Sequence, residues 1–486
     1  MRRNGFVALL AALLLFSGLP ACFAEDKAPA KELSSDEYYE LMKVFVDTFQ
    51  QIDRNYVKDV DRKQLVEAAV QGMLEKLDPY SDYISPKDLQ KFTESVESEF
   101  GGVGIHVNFD RDQRNIEVMS TLPGAPAAQA GIKAGDRILE IEGKAIKEFT
   151  NNQEIDTAIT LLRGEPGKEV NVTIKHLAGD AVETLTLKRA IIKTDTVLGD
   201  SRKPDGTWNY WLDESKKIAY LRLTNFAGRS GDEMQEILQQ LKKDGMKGLI
   251  LDLRFNPGGK LEAAVEIADL FLESGLIVST EGRNALPQKF AAKKFGTFTG
   301  FPMAVLINHY SASASEIVSA ALQDHKRAIV VGERSWGKGS VQTVINMDVE
   351  GSKAALKLTT AAYHRPSGKN IHRFPESKES DEWGVMPNDG YAVPFSPAEY
   401  VGYQRYRLQR DAIRPREPII ADFPDSQLKK ARDYIEKELT KPETASNVPA
   451  PEGDGKDEKK KPEPKPTDNK TSSAAPELSV LHHRAA

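Results

Sequence analysis

The chain carries one cysteine, Cys22, among its 486 residues. A lone thiol cannot close an intramolecular disulfide, and neither a cysteine-based zinc site nor a cysteine pair can be built from it. Long apolar runs are equally scarce. The most apolar stretch, residues 6–16, falls well short of the ~20 residues a spanning helix needs. Excess charge is missing as well: 66 Lys and Arg face 72 Asp and Glu, and the net −6 offers no chain-wide attraction to nucleic acid or to an anionic membrane. The eight histidines include His482 and His483 side by side and His309, His325, His364 and His372 scattered, without ligand spacing. No internal repeat is present. What remains is a chemistry of hydroxyls, amines, carboxylates and backbone amides, with no nucleic-acid partner, metal or cofactor implied.

What the sequence does contain begins with Arg2 and Arg3, the apolar run and small residues near Ala24, the three-part pattern of a secretory signal over 1–24. Export to the periplasm or cell envelope is expected. Leu19-Pro20-Ala21-Cys22 resembles a lipoprotein box, so cleavage after Ala24 competes with a lipid anchor at Cys22, the single route to a membrane.

The length suits two or three domains. Apolar residues at spacings of three and four (Leu41, Val44, Phe45, Phe49, Ile52; then Leu65, Ala68, Ala69, Met73) predict a helical region over 35–97. Glycines and alternating strands dominate 98–190. Apolar strands separated by amphipathic helices over 195–400 argue an α/β core. A helical segment over 401–440 follows, and 441–486, rich in Pro, Lys, Glu and Ser, is predicted to be disordered.

Three blocks of the α/β region carry candidate chemistry. In the first, the strand Val305-Leu306-Ile307 runs through Asn308-His309-Tyr310-Ser311-Ala312 to Ser313-Ala314-Ser315-Glu316. A serine at such a strand-to-helix turn is presented as a nucleophile, and the next N–H, from Ala314, points toward a developing oxyanion. The same four residues also form an S-x-x-E capping box that needs no chemistry. In the second, Lys338 lies between Gly337 and Gly339. Held from solvent, its amine would be the base a serine needs without histidine, because burial favours the neutral form. Two other readings stand beside this one. An exposed hairpin lysine is one; a phosphate loop from Gly332 is the other, although Gly339 stands where that loop needs Ser or Thr. In the third, the strand 248–253 ends in Asn256-Pro257-Gly258-Gly259, a turn that offers a second oxyanion amide at Gly258 or merely starts a helix. A Ser-His pair using His309 is a further alternative.

Two resemblances organise these blocks. The segment from Ala130 to Gly143, AGIKAGDRILEIEG, closely resembles PDZ domains, which implies that backbone amides of Gly101, Gly102, Val103, Gly104 and Ile105 receive a peptide's C-terminal carboxylate. Together with Leu77-Asp78-Pro79-Tyr80-Ser81, Leu221-Arg222-Leu223 and Lys357-Leu358-Thr359-Thr360, the blocks resemble the tail-specific, or carboxyl-terminal processing, serine protease family. The resemblance implies a crotonase-like (ClpP/crotonase) α/β core with an inserted β-rich PDZ domain and helical N- and C-terminal segments. It places the nucleophile on Ser313, the base on Lys338, a lysine-orienting amide on Gln342 and the oxyanion donors on Gly258 and Ala314. The implied partners are protein or peptide substrates with exposed C-termini, an activator protein and further copies of the chain, with 35–85 and the helix near 428–439 as candidate assembly surfaces. The alternative function is a non-catalytic scaffold that captures peptide tails. Three departures from the family pattern stand out: Trp336 in place of Phe, a charged stretch over 371–383, and Pro387-Asn388 in place of Pro-Asp.

Overall fold

The strand Ile218–Leu223 sends Ile218 and Tyr220 to one side and Ala219, Leu221 and Leu223 to the other, and all five are buried. Period-two alternation with apolar residues on both faces requires a cover on each face. The computed structural model, which describes residues 33–110, 113–149, 154–177, 179, 181–203, 206–349, 351–411 and 423–441, supplies both. The signal expected at 1–24, Cys22 and the tail from 442 onward lie outside the described residues.

Ile218–Leu223, Gly248–Asp252, Met303–Ile307 and Ile329–Gly332 pair in parallel in that spatial order. Val197–Leu198 and Trp211–Asp213 add antiparallel to the first strand. Helices Ser230–Lys243, Leu261–Asp269 and Ala314–Asp324 cover one face with Met234, Leu238, Ile267, Ile317 and Val318. The other face is covered by Ser426–Leu439, whose Ala431 and Ile435 pack on Ile218, Tyr220, Ile250, Ala304 and Leu306. The helix expected near 428–439 thus packs Ala431 and Ile435 on the central sheet.

A second sheet runs Asp82–Ile84, Ser352–His364, Leu276–Glu281, Gln288–Ala291, and a long hairpin joins Ser340–Val349 to Ser352–His364. The strand Asp82–Ile84 interrupts what the sequence presents as a helical region. Its three residues are too few to show a period, and pairing with Ala355–Lys357 alone makes them a strand. Around it lie helices Ser35–Asn55, Arg62–Glu75 and Pro86–Glu97. No residue of Ser35–Asn55 is buried, and Tyr38, Leu41, Met42, Phe45 and Ile52 stay exposed.

The glycine-rich region forms its own antiparallel sheet, Ile105–Asp110, Asn115–Thr121, Arg137–Ile141, Glu169–Lys175, Val182–Lys188, around Ile116, Val118, Ile138, Val172 and Ile174. Glu99–Gly102 pairs with Ala190–Lys193, so the segments entering and leaving this unit are zipped together. Helix Pro397–Asp411 begins at the end of the expected core region 195–400 and runs into the segment expected at 401–440.

Candidate active site

The carboxyl ends of parallel strands, where side chains and amides of successive loops converge, are where open α/β sheets place ligands. Three neighbouring strands of the central sheet end here in the three blocks. After Asp252 the chain turns through Asn256 to Gly258. After Ile307 it turns through Asn308 to Ser313, and after Gly332 it runs to Lys338.

Two buried asparagines tie the first two turns together. Asn308 Oδ1 accepts the N–H groups of Phe255 (3.0 Å) and Tyr310 (3.1 Å). The carbonyl of Asn256 accepts Ala312 N–H (3.1 Å) and Ser315 Oγ (2.9 Å). Thus held, Ser313 adopts φ 57°, ψ −113°, a conformation that costs a non-glycine residue about 1–3 kcal/mol. Ala314 begins the helix, so its N–H lies at the positive end of the helix dipole. Gly258, at φ 104°, is pressed against this turn: a Cβ there would come within 2.8 Å of Ala312 O, 2.9 Å of Ser313 Cβ and 3.0 Å of Ala314 N. Its own N–H donates to Asn256 Oδ1 at 2.8 Å, so an oxyanion would have to take that donor from Asn256.

Glu316 joins the serine to the lysine. Its carboxylate is fully buried and accepts four hydrogen bonds: Oε2 from Ser313 N–H (2.7 Å) and Lys338 N–H (2.8 Å), Oε1 from Ser335 Oγ (2.5 Å) and Gly337 N–H (2.7 Å). Burial raises its pKa, against the pull of these donors. The Lys338 amine is pushed below the usual lysine range by burial, helped by nearby Lys357 and opposed by Glu316 and Asp78. Its Nζ lies 4.7 Å from the centroid of the Tyr80 ring. Ser313, for its part, meets the Tyr363 phenol, which burial pushes up to about 12. Strand Ser340–Val349, not a helix, follows Lys338, so the phosphate-loop reading has no helix N-terminus to use.

This arrangement accompanies extensive likeness to known proteins. The model of Peptidase family S41 matches residues 217–379, a PDZ domain model matches 117–176, and the activating protease CtpB N-terminal domain matches 20–87. A carboxy-terminal-processing protease of Bartonella bacilliformis is 36% identical over 415 residues, 83% of this chain and 90% of that protein. The chain belongs to peptidase family S41. The carboxy-terminal processing protease CtpA of Bacillus subtilis is 33% identical over 327 residues, 67% of this chain and 65% of its own. Among solved structures, the photosystem II D1 C-terminal processing protease aligns at 26% identity over 75% of this chain and 94% of that one, with a TM-score of 0.39.

Other expected residues of this S41 peptidase fall as follows. Gln342 Nε2 donates to Ser340 Oγ (2.8 Å) and Thr359 Oγ1 (3.3 Å), which sets it on the strand beyond the lysine, bonded to the hairpin and not to Lys338. His309 Nδ1 is engaged by the Tyr400 hydroxyl at 2.7 Å and lies 3.3 Å from Glu333 Oε2, and the ring lies on Tyr310, so its contacts are with Glu333 and an aromatic cluster instead of Ser313. In the PDZ domain, Gly102, Val103, Gly104 and Ile105 line a groove of about 320 Å³ with Leu122, Ile159 and Leu162 on its apolar side. Gly104 must be glycine: at φ 73° a Cβ would sit 2.3 Å from that of Ala125. Gly101 stands just outside, its carbonyl accepting Gly164 N–H at 3.1 Å.

Sequence reasoning treated Glu316 as a helix cap alone. One signal pointed further, a carboxylate inside an otherwise apolar and small-residue helix. Tyr80 entered only within the Leu77–Ser81 motif, and the ties that Tyr80, Tyr363, Asn256 and Asn308 make across the site gave no such signal, because those partners are dozens to hundreds of residues away.

Proposed function

We propose that this S41 peptidase is an exported endopeptidase that cleaves proteins near their C-termini, with Ser313 as nucleophile and Lys338 as general base. The observation that carries the reading is the single Glu316 carboxylate that binds the N–H groups of both Ser313 and Lys338 and so fixes the two backbones to one point. The neutral Lys338 amine takes the Ser313 proton as Oγ attacks the scissile carbonyl. The N–H of Ala314, joined by that of Gly258 once Asn256 releases it, stabilises the oxyanion. The Lys338 ammonium returns that proton to the leaving amine as the C–N bond breaks, and water, deprotonated by the neutral lysine, hydrolyses the acyl-enzyme and gives its proton back to Ser313 Oγ. Gln342 orients the lysine after exchanging its bond to Ser340. The core is crotonase-like, within the layout 35–97, 98–190, 195–400 and 401–440 for helical region, PDZ domain, protease core and C-terminal segment.

Substrate tails enter the PDZ groove, where Gly102 to Ile105 take the terminal carboxylate, with Gly101 behind them on the paired strand, and the apolar wall takes the last side chain. The protein works in the periplasm or cell envelope after cleavage at Ala24, or tethered through Cys22. Among the described residues no helix is long and apolar enough to cross a membrane. The exposed apolar residues of Ser35–Asn55 suit a homo-oligomer contact, and an activator protein is a further partner.

The test is mass spectrometry of unfolded casein incubated with the mature chain and with Ser313→Ala and Lys338→Ala, chelator present. Cleavage by wild type, reduced at least ~10³-fold in both variants, is expected. Equal activity in either variant refutes the dyad. Peptide binding without cleavage would favour the tail-binding scaffold.

A further inference from the structure

The sequence Leu77-Asp78-Pro79-Tyr80-Ser81 lies more than two hundred residues before the lysine, in the N-terminal helical region. The fold nevertheless delivers it to the active site. Asp78 Oδ1 accepts the N–H groups of Tyr80 (2.7 Å) and Ser81 (2.9 Å), and Ser81 Oγ donates to Asp78 Oδ2 (2.8 Å), which closes a tight turn. The turn is pinned to the core, since Thr359 N–H donates to Ser81 Oγ at 3.1 Å and the next residues pair with Ala355–Lys357. Out of it projects the Tyr80 ring, with Lys338 Nζ 4.7 Å from its centroid and its hydroxyl accepting the Trp336 indole N–H at 3.2 Å. Trp336 and Lys338 flank Gly337, so Tyr80 touches the lysine loop on both sides of that glycine.

We propose that Tyr80 is a positioning residue for the catalytic lysine: the face of its ring holds the Lys338 ammonium in the resting enzyme, so the N-terminal region completes the active site. The inference rests on the assignment of Lys338 as the base. A ring face attracts the ammonium and not the neutral amine, so it opposes the loss of the proton that catalysis requires. It acts alongside the other groups that face Nζ: Glu316 from the nucleophile helix and Asp78 from the same turn, which favour the charged form, and Lys357 from the long hairpin, which disfavours it. His372 faces Asp78 in turn. The ring thus sets how far burial can depress the base, and any movement of the 78–81 turn changes the protonation of a residue distant in sequence.

The test compares Tyr80→Leu and Tyr80→Phe by two independent readouts. The first is the acid limb of the pH profile of kcat/KM for fluorescein-labelled casein. The second is the apparent pKa of Lys338 from trace labelling with acetic anhydride, read by peptide mass spectrometry in the Ser313→Ala background, where no proteolysis is needed. Removing the ring is expected to move both downward by about 0.4 to 1.5 pH units. Tyr80→Phe, which keeps the ring and loses only the hydroxyl, is expected to stay within about 0.3 units of wild type on that same scale. If Tyr80→Leu unfolds, Tyr80→Met, similar in volume but without a ring, serves in its place. Unchanged labelling in the ring-less variant overturns the proposal, as does a Phe variant that behaves like Leu. Because labelling reports on Lys338 directly, a failure of the Ser-Lys reading would appear as retained activity in Lys338→Ala, not in this comparison.

Discussion

Replacing Glu316 by glutamine tests whether the site is held together by one carboxylate. The two side chains have the same shape, so packing is preserved and only acceptor capacity changes. Each Glu316 oxygen accepts two donors, Oε2 those of Ser313 and Lys338 and Oε1 those of Ser335 and Gly337. A glutamine has one oxygen, and its NH2 group must face one of these pairs. Turned toward Ser335 and Gly337, the NH2 could donate to the Ser335 hydroxyl but would strand the Gly337 N–H. Turned the other way, it would strand the amides of Ser313 and Lys338. A stranded buried donor costs about 1–3 kcal/mol, and the remaining bonds lose their charged acceptor, worth roughly a further 1 kcal/mol each. Some of this is returned because a buried charge is no longer present, as the raised pKa of Glu316 indicates. The expected net loss is about 2–4 kcal/mol of stability, with kcat falling ~10²-fold or more as the lysine loop moves relative to Ser313. Denaturant unfolding and casein cleavage by the purified variant measure the two effects. A glutamine variant within about 0.5 kcal/mol and threefold of wild type would refute the reasoning, because such small changes are typical of surface substitutions.

Three other outcomes follow from the same geometry. Arg254→Met removes a buried guanidinium that bonds Asp252 (2.6 Å), Asp425 (2.9 Å) and Gln427 (3.0 Å), and stranding Asp252 should cost about 3–5 kcal/mol in chemical denaturation. Gly258→Ala drives a Cβ to within 2.9 Å of Ser313 Cβ at a backbone angle only glycine accepts readily, and should lower kcat ~10²-fold in steady-state assays. The pH dependence has a definite sign. If Lys338 is the base, as proposed, its reactive form is neutral, and burial lowers its pKa, so kcat/KM should rise with pH through a midpoint below the ordinary lysine value of about 10.4 and be lost as pH falls through it. A rate that falls on going from pH 6 to pH 9 would contradict the assignment of the base.

The sequence by itself determined the main strands of the core and the order of the candidate site blocks. Alternation with apolar residues on both faces made 218–223, 248–252 and 303–307 interior strands, because nothing else buries both sets of side chains. Strand ends rich in small residues marked the turns at Gly258, Ser313 and Lys338, since only such residues let a backbone approach another so closely. Local pattern also gave a helix near 428–439, but not what it packs against, and only the tertiary structure assigned its Ala431 and Ile435 to the sheet. The same limit hid the active-site frame. Glu316 reads as a cap until the loop carrying Gly337 and Lys338 folds over it, and Tyr80 reads as a turn residue until the strand that follows it, Asp82–Ile84, pairs with Ala355–Lys357. Hydrogen bonds and ring contacts depend on distances of a few ångströms between residues far apart in the chain. Periodicity and spacing carry no record of such distances, so the positioning of the candidate catalytic groups was decided by packing.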